Sequence, residues 1–146
     1  MKKAVEQFLS PSEEQLLVDA ICEAEKETSG EIRVHIEATS GGDIDARTIE
    51  VFGLLNMHKT QQRNGVIIYL AVEDREFSIY GDEGINKVVS VDFWDSTKDT
   101  IQQHFKNGAF AEGLKQGILK AGQQLKSFFP YQDNDTNELP NTISKG

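Results

Sequence analysis

The chain has 146 residues, enough for one domain with its own hydrophobic core. Its formal net charge of -9 disfavours nucleic acid as a partner, because affinity for phosphate-rich surfaces comes from Lys and Arg. A single cysteine excludes an intramolecular disulfide and a cysteine-based zinc site, and no window approaches the roughly 20 apolar residues of a spanning helix. We therefore expect a soluble cytoplasmic protein without direct membrane insertion.

The first third of the sequence predicts a helix followed by a strand. Residues 1–9 are expected to be an N-terminal extension. Ser10-Pro11-Ser12-Glu13 has the pattern of a capping box, so a helix is predicted to begin there and to end at Ser29-Gly30. Residues 31–37 then alternate between polar and apolar side chains, which predicts a strand with one buried face.

The middle of the sequence predicts a helix and two strands. Asp43 is a suitable cap for a helix that extends to about residue 58. Residues 65–72 are continuously apolar, which is typical of a central strand covered on both faces. The connection at residues 73–75 is too short for a crossover, so residues 77–80 are expected to return as the second strand of a hairpin.

The last part predicts two helices and a tail. Apolar residues at helical spacing predict one helix from about Asp92 to Asn107 and another from Phe110 to Phe129. Residues 130–146 carry few large apolar groups and are expected to be a disordered polar tail. The element order predicts one α/β domain over residues 10–129, with helices packed on both faces of a small mixed sheet.

The predicted topology brings three polar loops to one edge of the sheet. The two strands of the crossover unit should be parallel, and the hairpin strand should run antiparallel to them. Residues 29–31, 63–65 and 81–84 should then meet, and Asp92 can reach the same place. Carboxylate and amide oxygens are preferred by Ca²⁺ and Mg²⁺. The predicted metal ligands are Glu31, Asn64, Asp82, Glu83 and Asp92.

Three alternatives remain open at this stage. The glycines near Asp82 can serve turn geometry, and Asp92 can simply cap a helix. The opposite sheet edge also gathers acidic side chains, and ligands in open α/β sheets favour the carboxyl ends of parallel strands. That rival set is Glu37, Asp43, Glu73 and Asp74. A calcium-loop-like stretch begins at Asp133, but it has Glu138 in place of the required glycine and Ser144 in place of the bidentate glutamate.

Several motifs resemble the TPM domain family over roughly residues 10–129. They occur in the family's order and include features of a short bacterial subgroup, Met57-His58-Lys59-Thr60. The other motifs are Thr28-Ser29-Gly30-Glu31, Arg63-Asn64-Gly65-Val66-Ile67, Tyr80-Gly81-Asp82-Glu83-Gly84-Ile85-Asn86, Asp92-Phe93-Trp94, Phe105, Gly108 and Gly113-Leu114.

The resemblance implies a Rossmann-like αβα sandwich with a divalent-cation site in its loops. Two competing functions follow from the predicted site together with this resemblance. The first is a cation-binding module that assists assembly or repair through a membrane-associated protein partner. The second is a metal-assisted acid phosphatase, in which a cation held by Asp82 and Asp92 would bind the phosphoryl group of a phosphomonoester and activate water. Arg63 would then be the cationic group nearest to the substrate.

Overall fold

The computed structural model describes residues 2–132 and 138–146. The helices of the described residues are α1 (Lys2–Phe8), α2 (Pro11–Glu25), α3 (Ile44–Leu54), α4 (Glu83–Asn86), α5 (Asp95–Lys106) and α6 (Phe110–Lys126). The strands are β1 (Glu31–Glu37), β2 (Gly65–Ala71), β3 (Glu76–Gly81) and β4 (Ser144–Lys145). None of the helices in these described ranges has the length and apolar character needed to cross a membrane.

The strands form one mixed sheet in the order β3-β2-β1-β4. β1 is parallel to β2 over its whole length, with Glu31 opposite Gly65 and Glu37 opposite Ala71. β2 and β3 form the expected antiparallel hairpin, in which Val66 lies opposite Gly81. The crossover and hairpin predicted from the sequence are therefore confirmed.

Helices cover both faces of this sheet. The apolar side chains of β1, such as Val34, pack with Ile21 of α2 and Ile118 of α6 in the larger core cluster. On the other face, Ile67 and Phe52 belong to a smaller cluster that includes residues of β2 and α3. The predicted α/β sandwich is confirmed, with α3 on one face and α2, α5 and α6 on the other.

The N-terminal residues are more than an extension of the domain. Residues 1–9 were expected to lie outside it, but Val5 and Leu9 are buried in the larger core cluster. Phe8 also packs against Phe110, with ring centroids 5.2 Å apart. Burial of the apolar side of α1 stabilises the fold, since burying one large aliphatic side chain contributes roughly 1.5–3 kcal/mol.

The C-terminal residues differ more from the prediction than the N-terminal residues do. The expectation of a disordered tail over residues 130–146 is wrong for residues 138–146, which we call the strap. Its strand β4 pairs with β1, and its Leu139 is only 7% exposed. The strap and α3 also bury the polar half of β1, so this strand is buried on both faces rather than one. Residues 133–137, which open the calcium-loop-like stretch, lie outside the described residues.

Local differences affect the predicted site. The helix expected from Asp92 begins at Asp95, and the residue before it, Trp94, makes no side-chain capping bond. A four-residue helix that the periodicity did not predict, α4, follows β3 directly. Its N-cap is Asp82, whose side chain accepts a hydrogen bond from the backbone of Glu83. Asp82 therefore has the capping role that the alternative interpretation gave to Asp92.

Candidate functional site

The three polar loops meet at the edge of the sheet where β1 and β2 begin and β3 ends. Backbone hydrogen bonds join them: Glu31 N to Asn64 O at 3.3 Å and Asp82 N to Gly65 O at 2.9 Å. Gly84 N also donates to Arg63 O at 2.9 Å. The structure thus brings together residues 29–31, 63–65 and 81–84, as the topology predicted.

Gly84 makes this convergence sterically possible. A Cβ atom at this position would lie 2.1 Å from the carbonyl oxygen of Gln62 and 2.5 Å from that of Arg63. Both contacts are with backbone, which cannot yield as a flexible side chain would. Helix α4 can therefore lie this close to residues 62–64 only because Gly84 has no side chain.

Asp82 and Glu83 converge on one positive group. Arg63 donates from Nε to Asp82 Oδ2 at 2.8 Å and from Nη2 to Asp82 Oδ1 at 3.1 Å. Its Nη1 donates to Glu83 Oε1 at 3.1 Å. The hydrogen bonds that Arg63 donates to Asp82 raise the pKa of Arg63. Three carboxylate oxygens therefore point at a single guanidinium.

The burial of these groups is unequal. The Asp82 side chain is 3% exposed, whereas the side chains of Arg63 and Glu83 are 40% and 55% exposed. Asp82 is held further by the backbone N–H of Glu83 at 2.7 Å. The carboxylate is consequently fixed, while the guanidinium that neutralises it lies at the surface.

The carboxylate of Glu31 is hydrogen-bonded to the strap. Its Oε1 accepts hydrogen bonds from the backbone N–H groups of Glu138 and Leu139 in the strap. Burial raises the pKa of Glu31, which also shares a hydrogen bond with Glu25. No hydrogen bond or ion pair among the described residues links Glu31 to Asp82. The predicted ligand Glu31 therefore holds the strap in place.

Asn64 lies at the junction of the loops and has an unused polar atom. It is 1% exposed, and its Nδ2 donates to Ser29 Oγ at 3.3 Å. Its buried Oδ1 has no hydrogen-bond partner in the part of the chain that the structure describes. A buried carbonyl oxygen without a donor costs roughly 1–3 kcal/mol and retains its capacity to bind a ligand.

Asp92 is separate from this group. It is exposed, and its Oδ1 accepts a hydrogen bond from Ser90 Oγ at 2.5 Å. Within the described residues, it shares no hydrogen bond or ion pair with Asp82, its partner in the phosphatase interpretation. Over residues 2–132 and 138–146 no cluster of three or more His, Cys, Asp or Glu side chains is arranged to hold a metal. Of the predicted ligands, the structure joins Asp82 and Glu83.

The rival acidic residues at the opposite edge do not form a shared site. Asp43 caps α3 through Ala46 N at 3.1 Å, and Asp74 accepts hydrogen bonds from Thr39 and Ser40. Glu73 is exposed. Glu37 alone of this set is buried, and an open cleft of about 390 Å³ lies nearby. The cleft is lined by Ser40, Gly41, Asp43, Ala46, Arg47 and Glu50.

Glu37 belongs to a charged network that the sequence analysis missed. It accepts hydrogen bonds from both Arg47, at 3.0 Å through Nε, and the Tyr69 hydroxyl. Burial alone would raise the pKa of Glu37, but the hydrogen bonds from Arg47 and Tyr69, together with the nearby His35, outweigh it and lower the pKa to about 2. The polar residues of the alternating strand 31–37 could have indicated this network. They were instead expected to face solvent.

Comparison with known proteins identifies the family. A family model described as the TPM domain matches residues 3–124. The chain belongs to the TPM domain family. The resemblance inferred from the motifs is thus confirmed, and the matched region of this TPM domain includes α1, in agreement with the burial of Val5 and Leu9. No curated protein matches the chain.

Solved structures resemble this TPM domain over most of its length. The NMR structure of the BA42 protein from the psychrophilic bacterium Bizionia argentinensis is 57% identical, covers all of both chains and has a TM-score of 0.92. The N-terminal domain of a protein from P. gingivalis is 19% identical with a TM-score of 0.62, over 88% of this chain and 84% of the other. The N-terminal domain of cg2496 from Corynebacterium glutamicum is 16% identical with a TM-score of 0.61, over 94% and 81%. The latter two show the fold alone.

Proposed function

We propose that this TPM domain binds a divalent cation, Ca²⁺ or Mg²⁺, through the carboxylates of Asp82 and Glu83. The observation that carries the proposal is the convergence of three carboxylate oxygens on the Arg63 guanidinium. Side chains that converge on one positive group are already oriented for another. Hard carboxylate oxygens are the ligands that Ca²⁺ and Mg²⁺ prefer.

Arg63 is the competitor that a cation must displace. The Arg63 side chain is 40% exposed, so it has solvent on one side into which it can turn. A cation that displaces it must replace the two hydrogen bonds that Arg63 donates to the buried Asp82. Two carboxylates with water completing the coordination shell favour weak binding, with a dissociation constant on the order of 10⁻⁴–10⁻³ M.

The remaining predicted ligands differ in whether their oxygen atoms are free to bind the cation. Asn64 is adjacent in sequence to Arg63 and has the free Oδ1 atom, so it is the next candidate ligand. Glu31 is engaged with the strap and Asp92 with Ser90. We therefore assign binding to the Asp82–Glu83 pair and expect Asp92 to contribute nothing.

A binding role has better support than catalysis. A phosphatase needs a cationic group free to receive a phosphoryl dianion, and Arg63 is bonded to two carboxylates. Binding of a cation would reduce the negative charge of the 81–84 loop, which suits a module that contacts a membrane-associated protein partner during assembly or repair. The cation would then control the charge of the contact surface.

The test is a titration of the ¹⁵N-labelled protein with CaCl₂ and with MgCl₂, followed by amide chemical shifts. We expect saturable shifts centred on residues 63–65 and 81–84 in the wild type, and their loss in Asp82→Asn. Asp92→Asn is the matched control, because it removes the same charge from an exposed site and should leave the affinity unchanged. Glu83→Gln gives a second loss of affinity without removing the buried cap of α4.

Two outcomes would overturn the proposal. One is a wild-type spectrum that does not respond at these residues, and the other is Asp82→Asn binding as tightly as the wild type. Hydrolysis of a model phosphomonoester should be measured on the same samples. Turnover that requires both the cation and Asp82 would instead establish the phosphatase alternative.

A further inference from the structure

The polar half of β1 is buried although it carries four ionisable side chains. Alternate residues of a strand point to the same face, and those on the α3 side of β1 are Glu31, Arg33, His35 and Glu37. Each is at most 7% exposed. Burying such groups is costly unless each one is paired and hydrogen-bonded. Within the described residues, Glu31, His35 and Glu37 each contact a charged or hydrogen-bonding partner. In the same part of the chain, Arg33 contacts only a carbonyl oxygen.

Arg33 is buried without an ion-pair partner among the described residues. It is 7% exposed, and Nη2 donates to the carbonyl oxygen of Thr142 at 3.2 Å. Its Nε is buried without a hydrogen-bond acceptor, and no carboxylate of the described residues forms an ion pair with it. Burial lowers the pKa of Arg33, but a guanidinium remains charged in proteins. The structure therefore contains a buried positive charge held by a neutral carbonyl.

His35 has a second unused polar atom on the same face. Its Nδ1 is 2.8 Å from Ser144 Oγ. Its buried Nε2 lies 3.3 Å from Glu37 Oε1, and no described residue forms a hydrogen bond with it. The side chains of Arg33 and His35 are two positions apart on one strand face, a spacing of roughly 7 Å along the strand. Both can contact one small ligand placed between them.

The acidic neighbours of Arg33 are already engaged by other groups. Glu37 is bonded to Arg47, which offsets its charge. Glu31 shares a hydrogen bond with Glu25, and burial raises the pKa of Glu25 to about 8, so this carboxyl pair retains a proton near neutral pH. No ion pair among the described residues offsets the charge of Arg33 itself, although the whole chain has a net charge of -9.

The strap supplies the oxygens that face these two basic residues. The Thr142 carbonyl meets Arg33 and the Ser144 hydroxyl meets His35. The strap has one well-buried apolar side chain, Leu139, and its strand is only two residues long. Segments with few apolar contacts open with low free energy compared with the core. The strap is thus the part of this face that can move.

We propose that Arg33 and His35 form a binding site for a small oxyanion, and that the strap covers this site until the anion displaces it. The oxygens of the anion would replace Thr142 O on Arg33 and Ser144 Oγ on His35. An oxyanion would also satisfy the free Nε of Arg33, because a guanidinium binds oxyanions through two parallel hydrogen bonds. The site is separate from Asp82 and does not depend on the proposed cation site.

The test uses the full-length ¹⁵N-labelled protein titrated with sodium phosphate or with sodium acetate at constant ionic strength and pH. We expect saturable amide shifts in residues 32–36 and 138–146. Arg33→Gln should remove them, whereas Arg75→Gln removes an equal charge from an exposed turn and should leave them unchanged. Arg33→Lys retains the charge and should retain weaker binding, which separates loss of the site from loss of folding.

A variant that loosens the strap should bind the anion more tightly than the wild type does. Leu139→Ala should lower the phosphate concentration at half-saturation by about tenfold, because apparent affinity scales with the fraction of molecules in the open state. Asp82→Asn should leave phosphate binding unchanged, so failure of the cation proposal would not imitate failure of this one. A response to phosphate alone identifies a phosphate-type ligand, and an equal response to acetate identifies a carboxylate.

The proposal is overturned if neither the wild type nor Leu139→Ala responds to either anion. It is equally overturned if Arg33→Gln responds as the wild type does, since the shifts would then arise from another site.

Discussion

Glu31 Oε1 accepts the backbone N–H of Leu139 at 3.3 Å, across 108 positions of the chain. Leu139 itself is buried in the smaller core cluster with Phe52 and Met57. This pair of contacts docks the strap on the sheet, and it diverts Glu31 from the metal site predicted for it.

Replacement of Leu139 by Ala tests whether the strap is docked in solution. We expect the free energy of unfolding to fall by about 2 kcal/mol or more, because the substitution removes buried methyl groups and leaves a cavity. Leu54→Ala is the control, since Leu54 is 67% exposed and its truncation should change stability by less than about 0.5 kcal/mol. Equal urea midpoints for the two variants would show that the strap does not pack as described.

Glu25 should make stability depend on pH on the alkaline side. Burial, followed by the nearby Glu31 charge, raises the pKa of Glu25 from 4.5 to about 8, against hydrogen bonds from the Ile32 backbone and Asn141 that lower it. The folded state therefore binds the proton more tightly than the unfolded state. The resulting stabilisation is complete below pH 4.5 and is lost as the pH rises through about 8.

The measurement for this effect is the melting temperature of wild type and Glu25→Gln between pH 5 and 9. Gln keeps one acceptor for Ile32 N and one donor for Glu31, and it does not titrate. We expect the wild type to lose stability relative to Glu25→Gln as the pH rises. Parallel curves for the two proteins would contradict the raised pKa.

Gly84→Ala should be strongly destabilising. A Cβ atom would overlap the carbonyl oxygens of Gln62 and Arg63, so the loops of the candidate site would have to separate. We expect a loss of about 3 kcal/mol or more in the free energy of unfolding. Gly53→Ala is the matched control, because nothing lies within 4 Å of its added methyl group and alanine favours the helix by about 1 kcal/mol. Tolerance of Ala at position 84 would contradict the close approach of α4.

Glu37→Gln should destabilise the protein at neutral pH and less so in acid. The change removes the buried anionic partner of Arg47, which then keeps only the exposed Glu50, at a cost of about 3 kcal/mol. Because the folded pKa is lowered from 4.5 to about 2, the contribution of Glu37 is present above pH 4.5 and is lost as the pH falls towards 2. Glu50→Gln, which removes the other and 62% exposed partner of Arg47, should cost less than about 1 kcal/mol. Chemical unfolding at pH 7 and pH 3 separates the two effects.

The sequence was sufficient for the regular part of the fold. Strict alternation in residues 31–37 and the apolar run 65–72 identified β1 and β2, and a connection of three residues required a hairpin. The strap had no comparable signal, because its main contacts use the backbone N–H groups of Glu138 and Leu139 rather than a periodic apolar pattern. The helix α4 was missed because four residues are too few to show helical periodicity.

The sequence predicted the position of the candidate site, but it did not predict which side chains pair with each other there. Topology placed residues 63–65 and 81–84 at one edge, which is where they lie. The direction of each side chain could not be read in the same way. Glu31 turns towards the strap, and Arg63 forms a two-bond ion pair with Asp82. Such pairings depend on side-chain geometry that the order of strands does not specify.

A calorimetric titration of CaCl₂ into wild type and Arg63→Gln tests the central claim most directly. The substitution removes the group that occupies the Asp82 and Glu83 oxygens, and both proteins should first be shown to be folded by their amide spectra. If a cation competes with Arg63 for these oxygens, Arg63→Gln should bind Ca²⁺ about tenfold more tightly than the wild type. An affinity that is unchanged or weaker in Arg63→Gln would show that Ca²⁺ does not bind where the guanidinium lies.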